Sequence, residues 1–231
     1  MDFILPAPPQ ASVAVAGEAA RFPVRRIFCV GRNYAAHARE MGKDPDREPP
    51  FFFTKPADAV VDTGATIPYP PETENLHHEI ELVVAIGAEG RAVPKEKARD
   101  LIWGYGVGID LTRRDLQTRA KEMGRPWDWG KAFDNSAPCA PLVRRAEAGA
   151  IDDARIWLAV DGERRQDASV EELIWDIPEI VSIVSHTMVL RPGDLIYTGT
   201  PAGVGAVTPG QRMTGGVGDL PEIDITIGPR G

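Results

Sequence analysis

The stretch His77-His78-Glu79-Ile80-Glu81-Leu82-Val83-Val84-Ala85-Ile86 constrains this chain more than any other. Extended backbone sends successive side chains to opposite faces, so Ile80, Leu82 and Val84 take one side and Glu79 and Glu81 the other. The apolar face demands a core, and the opposite face carries two neighbouring carboxylates. Such a pair repels itself unless a proton or a cation lies between the groups, and a third acid within reach favours a divalent metal. Asp110 is the candidate third ligand, because it closes a second apolar run, Tyr105-Gly106-Val107-Gly108-Ile109, which predicts a strand ending beside the first. The competing reading is a solvent-facing strand edge whose acids keep it soluble.

The length, 231 residues, suits one large domain or a domain with a small appendage. Lys and Arg total 26 against 34 Asp and Glu, and the net charge of -8 argues against a nucleic-acid surface. Two cysteines, Cys29 and Cys139, are too few for a disulfide framework or a thiolate metal site and point to a reducing cytoplasm. No run is long and apolar enough to span a bilayer, and Met1-Asp2-Phe3 lacks the basic start of a signal peptide. With 23 Gly and 21 Pro, the chain favours turns and short strands over a helical bundle.

Residues 1–22 read as a lead-in or small hairpin, with a short strand near Ser12, and residues 23–231 as the domain that carries the chemistry. A strand over Arg26-Ile27-Phe28-Cys29-Val30 turns through Gly31-Arg32-Asn33-Tyr34 into a short helix over 35–41 closed by Gly42. His37 and Glu40 share a face of that helix, so the pair is either a general base oriented by its carboxylate or an incidental surface pair. The charged, proline-rich loop 42–50 reads, with this helix, as a lid. Phe51-Phe52-Phe53-Thr54 is a buried strand that delivers Lys55, either as an anion contact or as a solvated strand end.

His77 falls on the side of the two acids and His78 on the opposite side; for His77 an outer contact or an ordinary hydrogen-bonded role suits hard oxygen ligands better than direct ligation. Gly104, Gly106 and Gly108 leave one strand face bare, so another strand or a ligand lies close there. A helix is predicted from Thr112, stopped by Gly124. Arg114 and Gln117 share its first turn, either to bind an oxyanion or as solvated side chains. In Trp127-Asp128-Trp129-Gly130-Lys131, aromatic surroundings make Lys131 a candidate desolvated, electrophilic cation. Asp161-Gly162 predicts a hairpin turn, Ser169 with Glu172 a capping box for a helix that Pro178 interrupts or restarts, and His186 a structural role. The loop Gly199-Thr200-Pro201-Ala202-Gly203-Val204-Gly205 lacks a phosphate-binding ending and instead presents backbone N–H groups and the Thr200 hydroxyl to a substrate.

Gly31-Arg32-Asn33-Tyr34 with His37 and Glu40, Phe53-Thr54-Lys55-Pro56, His78-Glu79-Ile80-Glu81, Gly108-Ile109-Asp110-Leu111-Thr112, Lys131-Ala132-Phe133-Asp134 and Thr198-Gly199-Thr200-Pro201-Ala202-Gly203-Val204-Gly205 occur in the order seen in the fumarylacetoacetate hydrolase family. The resemblance covers nearly everything after Phe22 and is strongest to the short acylpyruvate and fumarylpyruvate hydrolase branch. It implies a fold that is mainly β with α+β elements, the mixed β-sandwich roll of the family's C-terminal domain, as a homodimer. It also implies Mg2+ or Mn2+, with Ca2+ as an alternative, on Glu79, Glu81 and Asp110. His37 and Glu40 resemble the family's water-activating dyad, Lys131 its site lysine, and Arg114, Gln117 and Thr200 substrate contacts. Arg32, Lys55 and Arg114 are the cations available for a second substrate carboxylate. The implied reaction is metal-dependent cleavage of a carbon–carbon bond in a 2,4-diketo acid, 3-fumarylpyruvate giving fumarate and pyruvate in gentisate catabolism. Acetylpyruvate hydrolysis and oxaloacetate decarboxylation are the alternatives, with a keto-acid isomerase or hydratase and a non-catalytic Ca2+ module further off. Asp134-Asn135-Ser136 departs from the family's continuation and leaves the acyl preference open.

Overall fold

Ile80–Ile86, every residue of it buried, is the middle strand of a mixed eight-stranded sheet in the computed structural model of the chain, which describes residues 4–35 and 49–231. The sheet runs Phe51–Lys55, Arg26–Gly31, Asp194–Tyr197, Ile80–Ile86, Ile102–Ile109, Ala137–Cys139 and Val60–Asp62, with Val143–Arg144 also paired to Ile102–Ile109. Alternation works as the sequence requires. Ile80, Leu82, Val84 and Ile86 enter the main core, while Val83 and Ala85 join a second cluster with Ile27, Cys29, Leu195 and Tyr197. Each fully buried aliphatic side chain of this kind contributes about 2 kcal/mol.

A five-stranded sheet, ordered Glu163–Ser169, Arg155–Val160, Arg212–Val217, Ile223–Arg230 and Thr66–Tyr69, supplies the other half of the main core through Ile156, Leu158, Met213 and Ile225. Asp161 and Gly162 both take positive φ, 50° and 83°, the conformation a two-residue hairpin needs to match strand twist. Ser12–Val13 pairs with Phe22–Pro23, and Val13, Val15 and Phe22 pack into the second cluster. No helix among the described residues is long and apolar enough to cross a membrane.

Protein, not ligand, covers the bare face of the glycine strand. A Cβ at Gly104 would enter the Val143 carbonyl, and one at Gly108 the Tyr197 ring. Two helix starts differ from the sequence reading. Thr112–Arg113 pairs with Leu76–His78 instead of opening the helix, which begins at Arg114 and runs to Glu122. The Ser169–Glu172 box closes only the single turn Val170–Glu172, whereas Ile177–Thr187 has its own box from Asp176 and Glu179. Pro178, in the first turn, therefore begins that helix rather than interrupting it. Residues 36–48, which hold His37, Glu40 and most of the expected lid helix and loop, lie outside the described residues.

Candidate metal centre and substrate cavity

Strand pairing builds the acidic cluster. Ile80 sits opposite Ile109 and Glu81 opposite Gly108, and the N–H of Asp110 donates to the Glu79 carbonyl over 2.8 Å. One oxygen from each of Glu79, Glu81 and Asp110 then lies within 4.8 Å of the others, and all three side chains are buried. A solvent-facing edge is thereby ruled out for this stretch.

Cations surround two of the three acids. Lys131 Nζ is 2.9 Å from Glu79 Oε2, 2.6 Å from Asp110 Oδ2 and 2.6 Å from Thr112 Oγ1. Burial alone would lower the Lys131 pKa, but the charges of Asp110 and Glu79 outweigh it and raise the value. Arg114 pairs with the other oxygen of Glu79 and donates to Gln117 Oε1 at 2.5 Å. Glu81, by contrast, takes one backbone hydrogen bond, from Gly199 N–H to Oε2 at 2.8 Å, and has no ion pair among the described residues. Burial, then repulsion from Asp110 and Glu79, raises its pKa well above the usual carboxylate range. Asp110 Oδ1, although 2.8 Å from Lys55 Nζ, has no aligned hydrogen bond. Three hard oxygen donors, with Asp110 Oδ1 lacking an aligned hydrogen bond and Glu81 lacking an ion pair among the described residues, fit a divalent cation.

A cavity of about 240 Å³ opens over Glu79 and Glu81. Lys131, Arg114, Gln117 and Thr200 line it, and Phe51, Phe53 and Trp127 form an aromatic wall. Phe51 meets Trp127 edge-on with ring centres 5.2 Å apart, and Arg32, also lining the cavity, lies 5.0 Å over Phe51. Lys131 Nζ is 4.9 Å from the Phe53 ring centre, so its aromatic setting is real, although Phe53 supplies it more directly than the neighbouring tryptophans.

Lys55 departs from its expected place as a substrate contact. Its side chain is fully enclosed, it does not line the cavity, and its ammonium faces Asp110 and the carbonyls of Leu111 and Lys131. The strand Phe51–Lys55 ends pointing inward, which makes Lys55 an internal counter-ion to Asp110. The Gly199 loop also differs, since its first N–H goes to Glu81 and not to a substrate. Thr200 keeps its place at the cavity, with its hydroxyl accepting from Gln166 at 2.8 Å. His77 accepts from Arg114 at 3.4 Å and is lowered to about 4 by burial and by the Arg114 charge, while His78 pairs with Gln166 at 2.9 Å.

Gln166 and Asn33 escape notice in the sequence. Gln166 is fully buried and bridges His78 and the Ile80 N–H to Thr200 and the Pro201 carbonyl. It stands in the run Glu163-Arg164-Arg165-Gln166-Asp167, whose polarity hides it. Asn33 donates to the carbonyls of Trp175 and Thr198 and accepts from the Trp175 N–H, fastening the turn after Arg26–Gly31 to the Thr198 loop. Its signal was its place in Gly31-Arg32-Asn33-Tyr34, to which spacing alone assigns no role.

Residues 26–229 match the family described as Fumarylacetoacetate (FAA) hydrolase C-terminal, and the chain belongs to that family. Its mainly β sandwich roll is the family's fold. A crystal structure of fumarylpyruvate hydrolase from Pseudomonas aeruginosa in complex with Mn2+ and pyruvate is 53% identical, with a TM-score of 0.95 over 98% of this chain and 99% of that one. Fumarylpyruvate hydrolase from Ralstonia sp is 45% identical over 82% of this chain and 99% of its own length. A mitochondrial oxaloacetate tautomerase from Arabidopsis thaliana is 42% identical over 87% of this chain and 90% of its own length.

Proposed function

We propose that this chain is a divalent-cation-dependent hydrolase that splits 3-fumarylpyruvate, a 2,4-diketo acid, into fumarate and pyruvate. The observation that carries the proposal is the buried cluster of Glu79, Glu81 and Asp110 opening on a cavity whose remaining charged groups are cations. The fumarylpyruvate hydrolases among its relatives support the substrate.

Glu79, Glu81 and Asp110 are the residues that would hold the cation, Mg2+ or Mn2+ before Ca2+; when bound it supplies Lewis acidity toward the oxygens of a keto acid. Arg114 fixes Gln117 through Oε1, so the Gln117 amide N–H groups are what that side chain offers to substrate. His37, oriented by Glu40, takes a proton from water, and the water oxygen bonds to the distal carbonyl carbon. Lys131 and Gln117 hold the negative charge that develops on that carbonyl oxygen. The adjacent carbon–carbon bond then breaks, its electron pair passes to the pyruvate methylene carbon, and a proton there completes pyruvate. Arg32, Arg114 and Thr200 hold the substrate's polar ends. Residues 23–231 form the catalytic domain and 1–22 its lead-in. The free, buried thiols of Cys29 and Cys139 accord with a reducing cytoplasm; the homodimer and the place in gentisate catabolism rest on the family resemblance alone.

Oxaloacetate decarboxylation is the second reading, favoured by the 39% identity to a mitochondrial oxaloacetate decarboxylase from Dictyostelium discoideum. It needs no attacking water. A panel of 3-fumarylpyruvate, acetylpyruvate and oxaloacetate, assayed for pyruvate release with and without EDTA, separates the two. Fumarylpyruvate cleavage abolished by EDTA and by His37→Gln supports the proposal; release from oxaloacetate alone, surviving that substitution, overturns it.

A further inference from the structure

The helix Arg114–Glu122 presents Arg114, Gln117, Thr118 and Lys121 to the cavity, while Arg119 lines a different groove on its outer side. These cavity positions follow the three-to-four-residue repeat of one helix face. Arg114 and Lys131 are already paired with the acidic cluster. Lys121 has no acidic partner within ion-pair distance among the described residues. It stands two turns beyond Arg114, about 10 Å along the axis. A seven-carbon keto diacid anchored at the acidic cluster has a reach of that order, so Lys121 joins Arg32, which lies over Phe51 in the same cavity, as a cation available to its far carboxylate. An acyl group ending in a methyl offers nothing for an ammonium there.

We infer that Lys121 is a specificity-determining residue that receives the terminal carboxylate of the acyl group, making the cavity selective for acylpyruvates that carry a second acid. The assignment rests on the proposed function and adds to it a residue and a length rule. Lys121 touches no reacting atom; it acts on which substrate is held. The charge it offers is local, because the chain as a whole carries -8.

The test compares 3-fumarylpyruvate with acetylpyruvate in the metal-loaded wild type and in Lys121→Met, Lys121→Arg and Arg119→Met. In Lys121→Met the ratio of kcat/KM for the diacid over the monoacid falls about tenfold, mostly through KM, as loss of one charged hydrogen bond implies. Lys121→Arg retains the ratio, and Arg119→Met, which removes the same charge from the outer face, leaves it unchanged. A ratio equal to wild type in Lys121→Met, or an equal fall in Arg119→Met, overturns the assignment. Calorimetric binding of fumarate and crotonate reads the same contact without turnover. Wild type binds fumarate more tightly, and Lys121→Met loses the difference; an undiminished difference in the variant, or none in wild type, also overturns it. Wild-type enzyme that cleaves neither diketo acid refutes the proposed function instead, and the two probes still decide Lys121.

Discussion

The N–H of Gly199 donates to Glu81 Oε2 over 2.8 Å, and this is the hydrogen bond that aims the least neutralised of the three acids. Gly199 has φ +104°, and a Cβ there would run into the Cβ of Asn33. Gly199→Ala is therefore expected to lower stability by about 2 kcal/mol and to weaken Mn2+ binding, because Glu81 loses its guide. Thermal unfolding and Mn2+ calorimetry check both effects; an unchanged variant contradicts them.

Lys131 is enclosed between Glu79 and Asp110, so its removal is more than a catalytic loss. Lys131→Met should reduce turnover about a hundredfold and destabilise the metal-free protein by about 3 kcal/mol, since two buried carboxylates lose a counter-charge. A divalent cation should then raise the melting temperature of the variant more than that of wild type. Equal stabilisation by Mn2+ in both would show that lysine and cation do not answer the same charge.

Gln166 ties the strand Ile80–Ile86 and His78 to Thr200 and Pro201. Gln166→Leu leaves several buried polar groups without partners and is expected to cost roughly 3 kcal/mol in urea unfolding. Gln166→Glu keeps the acceptor for Ile80 but not the donor to Thr200, so its KM should rise further than its stability falls. A variant of either kind that matches wild type removes Gln166 from the account.

Much of this is legible in the sequence alone. Alternation over Glu79–Val84 separates the side chains that enter the core from the two acids, although the chain breaks at Glu79 and Leu76–His78 pairs in a separate three-stranded sheet; Asp110 follows because a second apolar run ends nearby. The glycine strand, the Asp161-Gly162 turn and the Arg114–Gln117 face also follow from local periodicity. Lys55 was not legible, because a lysine at a strand end looks the same in sequence whether it meets water or a buried aspartate across the sheet. Gln166 was hidden for the same reason, its partners lying 86 to 88 residues earlier and 34 to 35 later. The helix expected from Thr112 starts at Arg114 because tertiary pairing of Thr112–Arg113 with Leu76–His78 overrides propensity.

Asp115 gives the fold a pH signature away from the cluster. Burial by itself raises its carboxyl, but hydrogen bonds from the Thr73 hydroxyl at 2.6 Å and from the N–H groups of Glu74 and Leu116 outweigh this and hold it below its ordinary value. A carboxyl lowered in the folded state stabilises above its unfolded pKa of about 3.9, and that stabilisation is lost as pH falls through the folded value. Asp115→Asn should thus cost about 1 kcal/mol at pH 7, with the gap to wild type narrowing as pH falls below the ordinary carboxylate range and through the lowered folded value. A gap constant across that range in denaturant unfolding contradicts the assignment.

Anomalous diffraction from crystals grown with Mn2+ tests the central claim most directly. A single strong peak bounded by carboxylate oxygens of Glu79, Glu81 and Asp110, and abolished in Glu81→Gln, is the expected result. A peak elsewhere, or none while EDTA-sensitive cleavage persists, would contradict it.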